Sequence, residues 1–404
     1  MPRINVGDFM VGKEEKEVIN TILESGKISE GKFVKLFEKE WANFIGTKYC
    51  VAVNSGTSAL LLGLLALKYD ERFKKFKDGA KIITSPITYI ATSNAISLSN
   101  MQPVYGDIDL KTFKLKTDEI KSILKNSDAD EFAGILPVHL MGYPNDMDQI
   151  NEIAQEYDLV VFEDSAQAHG TTYNEKKTGS LGFLSAFSFY IAHNIQAGEM
   201  GCVMTNDERL FKLMLKLKAN GRSCDCIVCV RSRGNCPHLN GDFDPRFNHE
   251  YVSYNFKTME FQASLGNCQI KKVGDIIKKR QENVRYLNKC LEKYSDILQL
   301  PPYSRVVSYL GYPIIIKKPE LLNRRKIINE LEYNGIETRP LFGCIPTQQP
   351  AYSYLKEEYE GRIPNAEYVG LNGFYIGCHQ YLTCDDLDYI VEIFDKIMEK
   401  KNDK

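Results

Sequence analysis

The chain contains 404 residues, a length that fits two or three domains, or one large α/β unit, and excludes a mini-protein. Its 51 Lys and Arg residues nearly balance its 53 Asp and Glu residues, which leaves a formal net charge of −2. This balance provides no strong positive field for a polyanion, so we expect no nucleic-acid partner. With 43% hydrophobic and 26% charged residues, the composition is that of an ordinary globular protein.

The sequence has no apolar run of the roughly 18 residues that a membrane span requires. Its most hydrophobic stretch, residues 57–67, is short, and its first residues lack the apolar segment of a signal peptide. We therefore expect a cytoplasmic protein with no membrane partner. In that compartment the 11 cysteines are expected to be thiols or metal ligands, and their odd number excludes a closed set of disulfides.

Two kinds of pattern predict the first part of the fold. Residues 55–69 begin with Ser-Gly-Thr-Ser before a run rich in Leu and Ala, which predicts a capped helix. From residue 80 onward, short β-rich runs alternate with helix-length patterns such as residues 145–158. This alternation predicts βαβ crossovers and a mainly parallel sheet, that is, an α/β fold. The strands are predicted within residues 81–86, 102–109, 134–140, 159–164 and 186–191.

The pattern changes after about residue 258. The later segments predict a long or broken helix over 259–297, a strand within 309–317, a helix around 320–334 and a final amphipathic helix over 384–400. We therefore predict a large domain over residues 1–258 and a smaller α+β domain over residues 259–404. Residues 221–250, rich in Gly, Cys, Arg, Pro and His, are predicted to form an irregular insertion in the large domain.

Candidate functional residues follow the predicted strands. In an open α/β sheet, ligands bind where loops leave the carboxyl ends of the strands. Asp164 ends one predicted strand, Tyr89 follows another, and His193 lies just beyond a third. The backbone N–H groups of Gly56 and Thr57, at the start of the predicted helix, form either an anion site or a plain helix cap.

Ordered sequence motifs extend over nearly the whole chain. They are SGKISEGKFVKLFEKEW (25–41), VAVNSGTSALLLGL (51–64), SPITYIATSNA (85–95), PVYGDIDLKTFKL (103–115), PVHLMGYPNDMD (137–148), FEDSAQAHG (162–170), SFYIAHN (188–194) and YNFKTMEFQASLG (254–266). Together they resemble the DegT/DnrJ/EryC1/StrS family of sugar aminotransferase-like enzymes. The resemblance implies fold type I of the pyridoxal-phosphate proteins, with a large cofactor-binding domain and a small C-terminal domain.

The resemblance also implies a binding site for pyridoxal phosphate or pyridoxamine phosphate. Asp164 would face the pyridinium nitrogen and keep it protonated, although from the residue alone it could equally be a turn residue at a strand end. The other implied contacts are Gly56, Thr57 and Ser188 to the phosphate, Tyr89 stacked on the ring, Gln167 beside the phenolic oxygen, and Asn255 to a phosphate of the neighbouring subunit. The last contact implies a homodimer.

One residue departs from the aminotransferase pattern. In the aminotransferases of the family, the motif that corresponds to SFYIAHN has a lysine where this chain has His193, and that lysine holds the cofactor as a Schiff base. Imidazole cannot form this bond, so we expect ordinary transamination to fail. An isolated histidine is usually structural, but at this motif position His193 is interpreted as a general base of near-neutral pKa. Lys176 and Lys177 lie in a predicted hairpin turn and are expected to be solvated.

A histidine at this position is similar to one branch of the family, the 3-dehydratases. These enzymes use pyridoxamine phosphate to remove the hydroxyl at carbon 3 of nucleotide-linked 4-keto-6-deoxyhexoses, so a nucleotide sugar is the implied substrate. The segments SFYIAHNIQAGEMG (188–201), GRSCDC (221–226) and HEYVSYNFK (249–257) are most similar to the ascarylose type of this branch.

Four cysteines lie close together in the predicted insertion. Cys224, Cys226, Cys229 and Cys236 have the spacing C-x-C-x2-C-x6-C and could supply four thiolates. In the ascarylose type, a 2Fe–2S cluster passes single electrons from an NAD(P)H-dependent flavin and iron–sulfur reductase. One cluster ligand of that type lies upstream, in the stretch that matches Ser165 in this chain, so Cys229 would have to replace it.

Other interpretations remain open at this point. Four thiolates satisfy tetrahedral zinc equally well, and a segment without metal is the other alternative. A colitose-type enzyme would lack the cluster and release ammonia by hydrolysis. Loss of the Schiff-base lysine is also compatible with a non-catalytic family member that acts as a binding subunit.

The residues that recognise the substrate are less clearly marked. Arg222, Arg339, His249 and residues 377–382 are polar or cationic candidates for contacts to the sugar and the diphosphate, with surface arginines as the alternative. His139, His169 and His379 lie in motifs of the family and receive no role.

Overall fold

The computed structural model of the protein describes residues 4–226, 236, 244 and 247–402. The helices are α1 (Lys13–Ser25), α2 (Lys32–Ile45), α3 (Gly56–Tyr69), α4 (Ala91–Leu98), α5 (Thr117–Lys125), α6 (Met147–Glu156), α7 (Glu208–Leu217), α8 (Glu260–Ile270), α9 (Val273–Leu291), α10 (Arg324–Tyr333), α11 (Ile345–Gln348), α12 (Lys356–Tyr359), α13 (Pro364–Asn372) and α14 (Cys384–Asn402). The strands are β1 (Tyr49–Val53), β2 (Lys81–Thr84), β3 (Gln102–Tyr105), β4 (Phe132–Leu136), β5 (Val160–Asp164), β6 (Thr172–Tyr173), β7 (Lys176–Lys177), β8 (Leu184–Ser188), β9 (Gly201–Thr205), β10 (Leu298–Gln299), β11 (Tyr312–Ile316), β12 (Thr338–Pro340) and β13 (Gly373–Ile376).

The main sheet has the strand order β1-β9-β8-β5-β4-β2-β3. Strands β8, β5, β4, β2 and β3 pair in parallel, whereas β9 runs antiparallel to both β8 and β1. The predicted α/β fold with a mainly parallel sheet is therefore confirmed, and each of the five predicted strands overlaps an observed one. Strands β1 and β9 were not predicted, because short runs buried on both faces show no alternation of apolar and polar residues.

Helix α3 is the central helix of the main-sheet domain. Its residues 59–67 are all buried, so the helix is apolar on every side and packs within the core rather than against solvent. The side chain of Ser55 accepts a hydrogen bond from the backbone N–H of Ser58 (3.1 Å), which confirms the predicted N-terminal cap. In the described part of the chain, no helix is both long enough and apolar enough to cross a membrane.

A second sheet, with the order β10-β11-β13-β12, forms the centre of the C-terminal part. Its strand β11 and helices α10 and α14 lie where the sequence patterns predicted them, and the predicted long helix is broken between α8 and α9.

The two parts of the chain exchange elements. Helix α8 packs against α2 beside the main sheet, and near the N-terminus Ile4 forms a β-bridge with Ile336 of the C-terminal part. The predicted division after residue 258 stays a prediction. Helix α8, which follows residue 258, packs with the main-sheet part, and Ile4, which precedes it, pairs with the C-terminal part.

Glycine 63 controls how closely α3 approaches strand β5. A Cβ atom at Gly63 would lie 2.5 Å from Cε1 of Phe162, two residues before the end of that strand. In a helix, Gly-to-Ala replacement normally stabilises by up to about 1 kcal/mol. We expect Gly63→Ala to do the opposite and to lower the free energy of unfolding by about 1–3 kcal/mol, measured by urea denaturation.

The matched control is Gly274→Ala in α9, where a Cβ would meet no atom within 4 Å. This variant should be neutral or more stable than the wild type. Equal effects of the two substitutions would contradict the proposed close contact between α3 and β5.

Candidate active site

A cavity of about 520 Å³ opens where α3 begins and where β5 and β8 end. The C-terminal sheet closes it from the other side through Arg339, Pro340, Phe342 and Tyr375. Its walls contain all but one of the predicted catalytic and cofactor-binding residues, namely Gly56, Thr57, Tyr89, Asp164, Gln167, Ser188 and His193. The fold therefore brings together side chains that lie up to 137 positions apart in the sequence, counted from Gly56 to His193.

The first turn of α3 meets the end of β8 at very short range. A Cβ atom on Gly56 would lie 2.5 Å from Cβ of Ser188, and a Cβ on Gly201 would lie 2.5 Å from the carbonyl carbon of Ser55. Only glycine fits at both positions. The free N–H groups of the first turn and the Ser188 hydroxyl thus share one wall, and a helix N-terminus of this kind favours a phosphate group.

Asp164 is held rigidly at the floor of the cavity. The Thr92 hydroxyl donates a hydrogen bond to Oδ2 of Asp164 (2.8 Å), and the backbone N–H of Ala166 donates to Oδ1 (3.2 Å). Burial raises the pKa of Asp164 even though both of these hydrogen bonds lower it. A buried carboxylate in this position gains stability from a cation, such as a protonated ring nitrogen.

Gln167 and Tyr89 face the cavity from different loops. Oε1 of Gln167 accepts a hydrogen bond from the backbone N–H of Met141 (2.9 Å), which leaves its amide N–H₂ group as the donor for a ligand. The Tyr89 side chain is 61% exposed, and its ring centroid lies 6.2 Å from that of Phe342. An exposed aromatic face beside a cavity is suited to stacking against a planar ring.

His193 lines the cavity with an uncharged imidazole. Burial, followed by the charges of Arg280 and Arg339, lowers the pKa of His193 to about 3. Its Nδ1 atom is buried and has no hydrogen-bond partner among the described residues, so Nε2 is the nitrogen available to a molecule in the cavity. The neutral ring can accept a proton at neutral pH, although its lowered pKa makes it a weaker base than the predicted near-neutral one.

Arg280 is a functional candidate that the sequence analysis missed. Its side chain is fully buried in α9 and donates hydrogen bonds to the carbonyl oxygens of Leu310 (2.8 Å) and Tyr309 (3.2 Å) and to Oε1 of Gln380 (3.2 Å). No carboxylate of the described residues pairs with it. Buried arginines are normally paired, so a positive charge is kept here near His193 without a neutralising partner.

His139 supports the strand that carries Asp164. The backbone N–H of Asn145 donates to Nδ1 of His139 (3.1 Å), so Nε2 carries the proton and donates to Oε2 of Glu163 (2.9 Å). The backbone N–H of His139 also donates to the carbonyl oxygen of Asp164 (3.0 Å). These contacts give this histidine a structural position behind the cavity.

None of the lysines in the described part of the chain lines the cavity. The predicted hairpin is confirmed as strands β6 and β7, and it carries Lys176 exposed and Lys177 with its Nζ 4.8 Å from the Phe44 ring centroid. A lysine that could reach a cofactor in place of His193 is therefore not present among the described residues.

Asn255 lies apart from the other predicted cofactor residues. It is exposed, forms a β-bridge with Ala219, and does not line the cavity of its own chain. Its contact to a cofactor phosphate in a neighbouring subunit therefore stays a prediction. Of the candidates for substrate recognition, Arg339 lines the cavity. Arg222 and His249 do not line it, and their backbones form an antiparallel β-bridge with each other.

The predicted metal ligands are only partly within the described residues. Cys229 lies outside them, and Cys224, Cys226 and Cys236 are half-buried thiols. Burial, together with hydrogen bonding and charge interaction with Cys224, raises the pKa of Cys226 to about 11, and Cys236 contributes in the same direction. Among the described residues, one group of three potential metal ligands has its ligand atoms all within 4.8 Å of one another, and it consists of Glu14, Glu15 and Cys268. The four-cysteine site stays a prediction.

Comparisons with known proteins agree with this architecture. The model of the DegT/DnrJ/EryC1/StrS aminotransferase family matches residues 10–395. GDP-4-keto-6-deoxy-D-mannose 3-dehydratase of Escherichia coli O55:H7 is 29% identical over 94% of this chain and 96% of its own length. The dTDP-4-dehydro-2,6-dideoxy-D-glucose 3-dehydratase of Saccharopolyspora spinosa is 32% identical over 93% of this chain and 82% of its own length.

A solved structure also matches over almost the whole chain. It is the E. coli GDP-4-keto-6-deoxy-D-mannose-3-dehydratase with bound hydrated PLP, which is 27% identical and superimposes with a TM-score of 0.85 over 97% of this chain and 99% of that chain. The family match extends over far more than half of the sequence, and the fold agrees with it. The chain belongs to the DegT/DnrJ/EryC1/StrS aminotransferase family.

Proposed function

We propose that this protein is a pyridoxamine-phosphate-dependent 3-dehydratase that acts on a nucleotide-linked 4-keto-6-deoxyhexose. The observation that carries the proposal is the neutral imidazole of His193 in a cavity that no described lysine lines. An aminotransferase needs an amine at this place, whereas a dehydratase needs a base. The names of the two relatives reported above, both 3-dehydratases, support the same reaction.

The residues of the cavity fit the cofactor. The backbone N–H groups of Gly56 and Thr57 and the Ser188 hydroxyl would hold the phosphate. The helix terminus lies so close to Ser188 that a Cβ at Gly56 would collide with it, so these donors lie side by side. Asp164 would hold a proton on the ring nitrogen, and the Gln167 amide would donate to the phenolic oxygen. When bound, the cofactor supplies an amine for the sugar ketone and a ring that accepts electrons.

His193 would move the proton in this reaction. Its imidazole lines the cavity and would take a proton from the reacting carbon; the protonated ring could then give a proton to the hydroxyl at carbon 3 of the sugar, which would leave as water. Arg339 lies at the same cavity with a half-buried guanidinium group that suits diphosphate oxygens. The described residues around His193 exclude bulk water from its Nδ1 atom, so the proton is accepted at one defined position.

Replacement of His193 should abolish dehydration without emptying the cofactor site. We expect His193→Asn to lower kcat by about 10²–10⁴-fold, because it removes the imidazole of the only histidine that lines the cavity among the described residues. The absorbance of bound cofactor should be unchanged. The value of kcat is measured from the dehydration of a GDP-linked 4-keto-6-deoxyhexose. Tyr333→Asn, at a 79% exposed residue of α10 that does not line the cavity, is the control and should keep wild-type activity.

Borohydride treatment of the resting wild-type protein with pyridoxal phosphate provides the second readout. We expect no cofactor to become covalently fixed to the chain. Stable attachment to a lysine, or full dehydration by His193→Asn, would refute the assignment.

The pH dependence of the reaction follows from the lowered pKa of His193. A histidine accepts a proton only in its neutral form, which predominates above its pKa, so a value of about 3 predicts no loss of kcat/KM from this residue between pH 8 and pH 5. Arg280→Met removes a buried positive charge and should move any acid limb to higher pH. The measurement is the kcat/KM profile with an NMR titration of His193. A titration of the wild-type ring near pH 6.5 would contradict this prediction.

We further propose that Cys224, Cys226, Cys229 and Cys236 bind a 2Fe–2S cluster that relays electrons from a reductase. The support is chemical: Cys224 and Cys226 are neighbours in space, and Cys236 interacts electrostatically with Cys226. The pKa of Cys226 is raised by burial, so a bound metal would favour its thiolate form. Structural zinc remains the alternative. The departure of this chain from the ascarylose pattern near Ser165 favours the cluster-free, hydrolytic route as the second candidate function.

Metal analysis separates these two routes. For anaerobically purified protein we expect about two iron atoms and two acid-labile sulfides per chain, both lost in Cys226→Ser. Cys384→Ser, at an exposed cysteine in α14, is the control and should keep them. Zinc without sulfide, or no metal at all, would overturn the reductive route and leave the hydrolytic dehydratase.

The protein is also proposed to act as a homodimer. Asn255 is exposed and does not line the cavity of its own chain, so a contact to the cofactor phosphate requires a second copy of the chain.

A further inference from the structure

Phe342 adopts a backbone conformation that its side chain does not favour. Its φ angle is +52°, in the left-handed region where a bulky residue is rare and glycine is preferred. The neighbouring backbone holds it there: the N–H of Leu341 donates to Gly373 (3.2 Å), and the N–H of Ile345 donates to Pro86 (2.9 Å). A glycine at this position would serve the backbone better, so the retained ring points to a role for the side chain.

The Phe342 ring forms part of the cavity wall that the C-terminal part of the chain contributes, beside Tyr89. Its centroid lies 6.2 Å from that of Tyr89 and 6.4 Å from that of Tyr375, and Pro340 and Leu310 complete the apolar surface on this side. The one charged group of this wall among the described residues is Arg339. The wall thus offers an apolar patch directly beside a cation.

We propose that Phe342 is a specificity-determining residue that receives the methyl group at carbon 6 of the hexose. This inference rests on the proposed function. The reaction places carbon 4 of the sugar at the cofactor, and the methyl group, the one fully apolar part of a 6-deoxyhexose, is only two bonds away from carbon 4. The methyl group must therefore lie near the cofactor side of the cavity, where the ring of Phe342 faces Tyr89. An apolar wall binds a methyl group and leaves a 6-hydroxyl without a hydrogen-bond partner.

The test compares two substrates with two variants. The substrates are a nucleotide-linked 4-keto-6-deoxyhexose and the same 4-keto-hexose with its 6-hydroxyl retained, and the readout is the ratio of their kcat/KM values. We expect the wild type to prefer the deoxy sugar by roughly tenfold or more. Phe342→Gly, which removes the ring and suits the positive φ, should bring the ratio close to one and raise KM for the deoxy sugar. Phe342→Leu keeps an apolar side chain and should keep most of the preference.

Two controls isolate the effect. Tyr354→Ala, at a 69% exposed tyrosine that does not line the cavity, should leave the ratio unchanged. Phe342→Gly relieves backbone strain but also loses the packing of the ring against the C-terminal core. The melting temperature and the absorbance of bound cofactor therefore identify the folded, cofactor-bound variant for which the ratio is compared.

An unchanged ratio in an active, cofactor-bound Phe342→Gly enzyme would overturn the inference while leaving the dehydratase in place. A wild type that dehydrates neither sugar would instead refute the proposed function.

Discussion

The close approach of helix α3 to the main sheet is the constraint on which the rest of the structure depends. It requires glycine at Gly56 against Ser188, at Gly63 against Phe162, and at Gly201 against Ser55, because a Cβ atom at any of these positions would collide with its neighbour. This packing presents the unpaired N–H groups of the helix terminus at the ends of β5 and β8. The same contact that closes the core therefore forms the predicted anion site and sets its position relative to Asp164.

Burial shifts the pKa values of Asp164 and His193, which both line the cavity, in opposite directions. It raises the pKa of Asp164 and lowers that of His193, so each group is shifted toward its neutral form. A cation beside Asp164, such as a protonated pyridine nitrogen, would favour its charged form. The charge of Arg280, which pairs with no carboxylate in the described part of the chain, lowers the pKa of His193 further in the same direction as burial. The cavity thus combines a site that attracts a cation with a base that carries no charge.

Residues at the ends of predicted strands were found from the sequence, because strand order in an α/β fold places these ends at one edge of the sheet. Asp164, Tyr89 and His193 belong to this class. Arg280 and Phe342 do not: Arg280 lies in the middle of a helix with many charged neighbours, and only its complete burial without a carboxylate distinguishes it. Phe342 is distinguished by a backbone angle that no sequence pattern encodes.

The sequence by itself determined the α/β class, the capped start of α3, the family, and the replacement of the expected lysine by His193, since these depend on local periodicity, helix-capping chemistry and ordered motifs. Only the tertiary structure decided that β9 inserts antiparallel between β1 and β8, that the C-terminal sheet supplies the apolar wall of the cavity, and that Asn255 stays outside it. The physical reason is that these features arise from contacts between residues that are distant in sequence. The geometry and the electrostatics of such contacts depend on burial, which exists only after the chain has folded.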